Sequence, residues 1–192
     1  AKTFSSMPKS IKLKAIAQLL RFITRRVLGK ARPTPPLDAW MDAEQQFGFK
    51  SSFLFLANGI APRWQDGYYS VHDKIDFRGE RVSIARAMRE MAEAGWDIGL
   101  HGGAGSSSSL EVLREQKSLI ENAAESQITS IRQHYLIFDV LKTPQAQEAA
   151  GFTADSSMGS NQNTDFRCGT GLPFSVFDLT KGKTLNLMEI PM

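Results

Sequence analysis

Two of the three histidines in this 192-residue chain close strand-like segments. Trp96-Asp97-Ile98-Gly99-Leu100-His101-Gly102-Gly103 is an apolar run that ends on His101 and opens into a loop of glycine and serine. Met88 to Gly95, just before it, reads as the end of a helix stopped by Gly95, which makes Ile98 to Leu100 a short buried strand. Ile128-Thr129-Ser130-Ile131-Arg132-Gln133-His134-Tyr135 repeats the design with alternating apolar residues before His134. The carboxyl ends of strands in α/β folds carry ligands and catalytic groups. An imidazole there serves as a proton carrier, as a ligand for a divalent metal, or as a loop-capping residue of the core.

Other groups able to do chemistry follow in order. Arg132 lies between Ile131 and the histidine cluster, where its planar two-pronged guanidinium can orient a carboxylate; the plainer reading is a surface ion pair. Asp155 follows a strand candidate and precedes Ser156-Ser157, so it is a site carboxylate or a turn cap. Arg167, in Phe166-Arg167-Cys168-Gly169-Thr170, can pair with Asp155 or meet a substrate oxygen, and Glu189 is expected on a strand facing the same mouth. His72 beside Asp73 and Asp76 reads as a solvated loop cluster.

The blocks from Gly95 to His101, from Arg132 to Leu136, from Ala150-Gly151-Phe152 into Asp155-Ser156-Ser157, and Glu189-Ile190-Pro191 resemble, in order and spacing, the polysaccharide deacetylase family of NodB-like carbohydrate esterases. The resemblance runs from about Lys50 to Met192. It implies an irregular seven-stranded (β/α) barrel of the glycoside hydrolase and deacetylase type. The activity it implies is hydrolysis of an N-acetyl group on an amino sugar by a water bound to a divalent metal, most readily zinc. His101 and His134 are then the metal ligands, Arg132 and Asp155 the catalytic pair, and Arg167, Tyr135 and Trp64 the substrate contacts. Tyr68 and Tyr69 join Trp64 as rings able to stack on sugar faces. The chain departs from the family pattern in three ways. Gly105 stands four residues after His101 where a second metal histidine is usual, no pair of aspartates precedes Leu37, and no histidine follows His134 to supply a Leu-x-His motif. The expectation is an internal segment of a longer protein, lacking the first aspartate-bearing strand and the last strands, with the catalytic base and acid outside it.

Composition bounds the alternatives. The chain carries 23 Lys and Arg against 20 Asp and Glu, yet residues 1–36 hold nine basic side chains and no acidic one, so residues 37–192 carry a net charge of −6. Ser10 to Gly29 reads as a basic amphipathic helix with Ile11, Ala15, Leu19, Phe22, Ile23 and Val27 on one face, followed by an extended link through Pro33, Pro35 and Pro36. Residues 1–36 are therefore taken as one unit and 37–192 as the barrel segment. Such a helix could touch an anionic membrane surface through residues 10–29. Nucleic acid is not expected, because the basic residues do not continue beyond the link and no aromatic-basic motif of an RNA module is present. The partner expected is a carbohydrate. A second reading keeps the barrel as a carbohydrate-binding relative without metal or catalysis, with Gly105 as its support. The single Cys168 rules out an internal disulfide framework and a cysteine-rich zinc site, and is read as a small buried residue. With no leader pattern at the start, a cytoplasmic setting is slightly favoured.

Helices are expected over Leu37 to Phe47, Gly79 to Ala94, Leu110 to Ala124 and Pro144 to Ala150, with a strand over Lys50 to Leu56 and an irregular insertion from Asn58 to Gly79. Their alternation means parallel strands with covering helices. A dinucleotide fold is excluded, since Gly99 to Gly105 gives no Gly-x-Gly-x-x-Gly opening onto a helix, and no Walker Gly-Lys-Ser occurs.

Overall fold

The computed structural model describes residues 37–57, 69–103, 105–160 and 165–192. The basic helix and proline link expected over residues 1–36 lie outside them, as do Trp64 and Tyr68. Within them the chain is mixed α/β with a mostly parallel sheet. Helix α1 (Leu37–Gln46) leads to β1 (Ser52–Leu56). A hairpin of β2 (Lys74–Phe77) and β3 (Glu80–Ser83) then precedes α2 (Ile84–Glu93) and β4 (Asp97–Gly102). Next come α3 (Leu110–Ala124), β5 (Ser130–Gln133), α4 (Thr143–Ala149), β6 (Ala154–Asp155), β7 (Phe174–Asp178) and β8 (Lys183–Glu189).

Six strands form one sheet in the order β1-β4-β5-β6-β8-β7, all parallel up to β8, with β7 antiparallel at the far edge. From β1 to β8 the order never reverses. Right-handed crossovers that always advance in one direction lay their helices on one face of the sheet. The alternation of burial agrees. Phe55, Ile98, Leu100 and Ile131 are buried in one cluster with Met88 and Met91 of α2 and Leu113 and Ile120 of α3. Leu54, Gly99, Ser130, Ala154 and Met188 stand in register on the opposite side. The described strands leave the sheet open, with β1 and β7 as its edges. The described residues thus show a mostly parallel sheet, and no strand among them joins β1 to β7 to close the seven-stranded barrel that was expected.

Local chemistry sets the element ends. Ser83 accepts the Arg86 N–H and starts α2, and Gly95, at φ +85°, ends it by returning Trp96 N–H to the Met91 carbonyl. Ser109 caps α3 through Val112 N–H. The Trp96 indole and the Ser51 hydroxyl and amide all donate to Glu44, tying α1 to the foot of β1 and β4. These hydrogen bonds, the Ser51 hydroxyl first, hold the Glu44 carboxyl below its usual range.

Two expectations are corrected. Residues 74–83, read as insertion and helix start, are a hairpin, and α2 begins at Ile84. Arg78 and Gly79, at φ +49° and +79°, make the two-residue turn that matches strand twist, while Ile75, Phe77 and Val82 bury one side of the ribbon. The strand expected as far as Tyr135 ends at Gln133, where the backbone turns sharply.

A Cβ at position 99 would collide with Ser130 Oγ and the Leu54 side chain, and would lie 3.0 Å from the Ser130 carbonyl oxygen. Gly99→Ala is expected to lower stability by about 1–3 kcal/mol in urea unfolding. Adding Ser130→Ala should recover part of that loss by removing the nearest obstacle; equal stability of Gly99→Ala and the wild type would show that β4 does not sit this close to β5.

Candidate functional site

Register places His101 level with Leu56 on one side and Arg132 on the other. Ile98 and Leu100 turn into the helix-covered core, so Asp97, Gly99 and His101 belong to the opposite face of β4. There Asp97 accepts the Ser130 hydroxyl at 2.6 Å, and His101 is half-buried at the strand's carboxyl end. Glycine follows because a Cβ at Gly102 would lie 2.6 Å from Gln133 Oε1 and 2.8 Å from Ser106 Oγ.

His134 reaches the same point by a strained route. It opens a 3-10 turn, His134–Leu136, in which Tyr135 and Leu136 lie at φ +56° and +53°. Two consecutive side-chain-bearing residues in the left-handed region cost on the order of 1–3 kcal/mol each. The outcome is a contact: His101 Nε2 and His134 Nδ1 are 2.8 Å apart, with ring centroids at 5.0 Å and planes at 87°. The Tyr135 ring lies 4.1 Å from that of His134 and is 64% exposed.

The other residues singled out from sequence divide between the two faces. Arg132 shares the face of His101, and its Nε donates to the Ser156 carbonyl at 3.2 Å and hydroxyl at 3.0 Å. Burial lowers the Arg132 pKa, while the charges of Asp155 and Glu189 act against that. Asp155 pairs in register with Ile131 and with Glu189, so both carboxyls occupy the helix-covered face, one residue deeper than His101. Both are fully buried. Ser157 Oγ donates to Asp155 at 2.5 Å and accepts Gln133 N–H at 2.9 Å, and Met158 N–H donates to Glu189 at 2.8 Å. Ser106 Oγ bonds Gln133 Oε1 and the Gly103 carbonyl, which carries the polar chain on to the loop after His101. Arg167 donates to the Leu136 carbonyl at 3.1 Å. Cys168 is half-buried with its thiol against Met158. Tyr69 is packed, its hydroxyl oxygen accepting Leu56 N–H at 2.7 Å. His72 is exposed, and its neighbours are engaged elsewhere, Asp73 by Ser70 and Asp76 by Arg81.

Sequence reasoning did not pair Asp155 with Glu189 or foresee Gln133, Gln147 and Ser106 as buried polar residues. The available signal was a glutamine inside an otherwise apolar alternation before His134. Burial raises the pKa of both carboxyls, and the Asp155 charge raises Glu189 further, to about 8. Two adjacent buried carboxylates cannot both ionise cheaply, so the pair holds a proton on Glu189 that is shared with Asp155.

The two imidazole nitrogens are the metal donors present. Nitrogens bound to one tetrahedral ion at about 2.0–2.1 Å stand roughly 3.3 Å apart, so 2.8 Å is a hydrogen-bond separation that must widen by about half an ångström to share an ion. Among the described residues no group of three or more His, Cys, Asp and Glu stands close enough to hold a metal. The donor set found here is two nitrogens and does not close a site.

No protein-family model and no curated protein matches the chain. Among solved structures, a Mycobacterium smegmatis protein provisionally described as a polysaccharide deacetylase is similar at 20% identity and a TM-score of 0.42, over 55% of this chain and 34% of that one. The matched part thus spans about a third of that protein. A likeness of this extent transfers no activity and no residue role.

The shared proton has a sign. The folded state retains it where the unfolded chain, with carboxyl pKa values of about 4, has released it. Stability is therefore greatest below that range and declines as pH rises from about 4 to about 8, through the titration of Glu189. Glu189→Gln should flatten that decline in urea unfolding measured from pH 4 to pH 9, and an unaltered slope would rule out the shared proton.

Proposed function

We propose that this chain forms part of a polysaccharide deacetylase-like hydrolase that removes N-acetyl groups from an amino sugar, with the His101–His134 pair at its centre. One observation carries the reading: two motif blocks 33 residues apart deliver their imidazoles to a 2.8 Å contact at the carboxyl ends of neighbouring parallel strands. The one-way winding of the sheet is what an irregular (β/α) barrel requires, closure needing strand pairing between β1 and β7.

Each residue's part follows from its place. Tyr135 offers an exposed aromatic face beside His134 on which a sugar ring can stack. Arg132, level with His101, provides a fixed positive charge where a carboxylate or developing oxyanion would lie. Asp155 is behind the strand, so it acts on the site through the charge it presents to Arg132. His101 and His134 would hold a divalent ion such as zinc together with donors from outside the described residues, and an ion there would polarise the amide carbonyl and acidify water. Gly105, four residues after His101 where the family usually has a second metal histidine, supports a second reading, a carbohydrate-binding relative that no longer turns substrate over.

Zinc content and acetate release from acetylated amino-sugar oligomers distinguish the two in the full chain. The hydrolase reading expects stoichiometric zinc and acetate release, both reduced about 100-fold or more in His101→Ala and in His134→Ala. Oligomer binding with neither zinc nor acetate release would favour the second reading, and zinc retained equally by both variants would remove the histidines from the centre.

A further inference from the structure

We propose that Arg167 is a positioning residue for the histidine pair, a strut that holds the left-handed turn aiming His134 at His101. The inference rests on reading that pair as the functional centre. β5 arrives at Gln133 in an extended conformation, with φ −74° and ψ 137°, and would carry the chain onward. Tyr135 and Leu136 instead both adopt positive φ, a conformation suited to glycine or asparagine, and fold it back. Within the turn the restoring bond is Ile137 N–H to the His134 carbonyl, at a long 3.3 Å.

Support from outside the turn comes through Leu136. Its carbonyl accepts the Arg167 guanidinium at 3.1 Å, and its side chain packs on Gly159, where a Cβ would lie 3.3 Å from Leu136 Cδ1. The base of the strut is itself fixed. Gly169, at φ +72°, returns its N–H to the Phe166 carbonyl at 2.8 Å. The Phe166 ring closes on Gly171 so tightly that a Cβ there would lie 2.5–2.9 Å from it. The turn after β5 is thus braced against the loop that carries Arg167, 31 residues away in sequence, by one charged, exposed hydrogen bond to a backbone oxygen. In this position Arg167 acts on the centre through Leu136.

The test is the nitrogen–nitrogen coupling through the His101–His134 hydrogen bond, read by NMR on the 15N-labelled full chain. The coupling is expected in the wild type and in Arg167→Lys, which can still donate to one carbonyl, and is expected to vanish in Arg167→Ala and Arg167→Met. Leu136→Asn, which suits the left-handed backbone, should restore it in the Arg167→Ala background. A coupling that persists in either folded Arg167→Ala or Arg167→Met overturns the proposal, as does its absence from the wild type. Loss of thermal stability with the coupling intact would mark a merely structural arginine and also overturns it. Failure of the hydrolase reading would show in acetate release and leave the coupling pattern unchanged.

Discussion

The parallel register between β4 and its two neighbours is the constraint from which the rest follows. It sets Leu56, His101 and Arg132 at one level, and Phe55, Leu100 and Ile131 at the level below. In a strand with a repeat of two, a slip of one residue would exchange the whole buried set for the half-exposed one. Here the slip would bring His101 and Arg132 under the helices and put Leu100 and Ile131 on the opposite side. Gly99 reinforces the register, because its missing side chain admits Ser130 and Leu54 to the space. The hydrophobic core and the histidine contact are therefore one structural fact seen from two faces.

The two faces also separate two kinds of polar chemistry. On the helix side, Asp155 and Glu189 are removed from water entirely, and their burial keeps a proton where ordinary carboxyls would lose it. That arrangement weakens the fold at alkaline pH but leaves a neutral, hydrogen-bonded pair in the core at lower pH. Asp178 shows the contrary case in the same sheet. Thr180, Gln145 and Lys181 all donate to one of its oxygens and hold its carboxyl well below the usual range, so it remains charged and closes the turn between β7 and β8. Burial is the foremost cause at Asp155 and Glu189, whereas the hydrogen bonds from Thr180 and Gln145 come first at Asp178. Asp155 accepts the Ser157 hydroxyl and Glu189 the Met158 N–H, which do not offset the cost of that burial.

What could be read from residue order was what depends on near neighbours. Leu110 to Ala124 was legible as a helix to the residue, since Leu113, Ile120 and Ala124 recur on one face and Ser109 caps the start. The strand bearing His101 and the one that stops just before His134 were legible as apolar runs followed by polar residues. The β2–β3 hairpin was not, because its turn places Arg78 where asparagine or glycine would have announced a left-handed residue. The location of Asp155 and Glu189 behind the sheet was not legible either. Which way a strand residue points depends on whom the strand pairs with, and that pairing crosses 34 residues of chain between Asp155 and Glu189. Arg167 was foreseen as a polar contact of the site, and the partner it meets is a backbone oxygen whose availability depends on the turn at Leu136.

The strain at Tyr135 and Leu136 and the burial of Asp155 bear on one question, how the face of the sheet opposite those helices comes to hold two imidazoles in contact. A strand that continued without the turn would carry His134 away from His101, and one hydrogen bond between two imidazoles is worth only about 1 kcal/mol net. The turn costs more than that bond returns. Contacts from the following loops brace it, through Leu136 to Gly159 and to Arg167. The packed side of the sheet and those loops thus contribute to an arrangement in which two positive-φ residues bring His134 against His101.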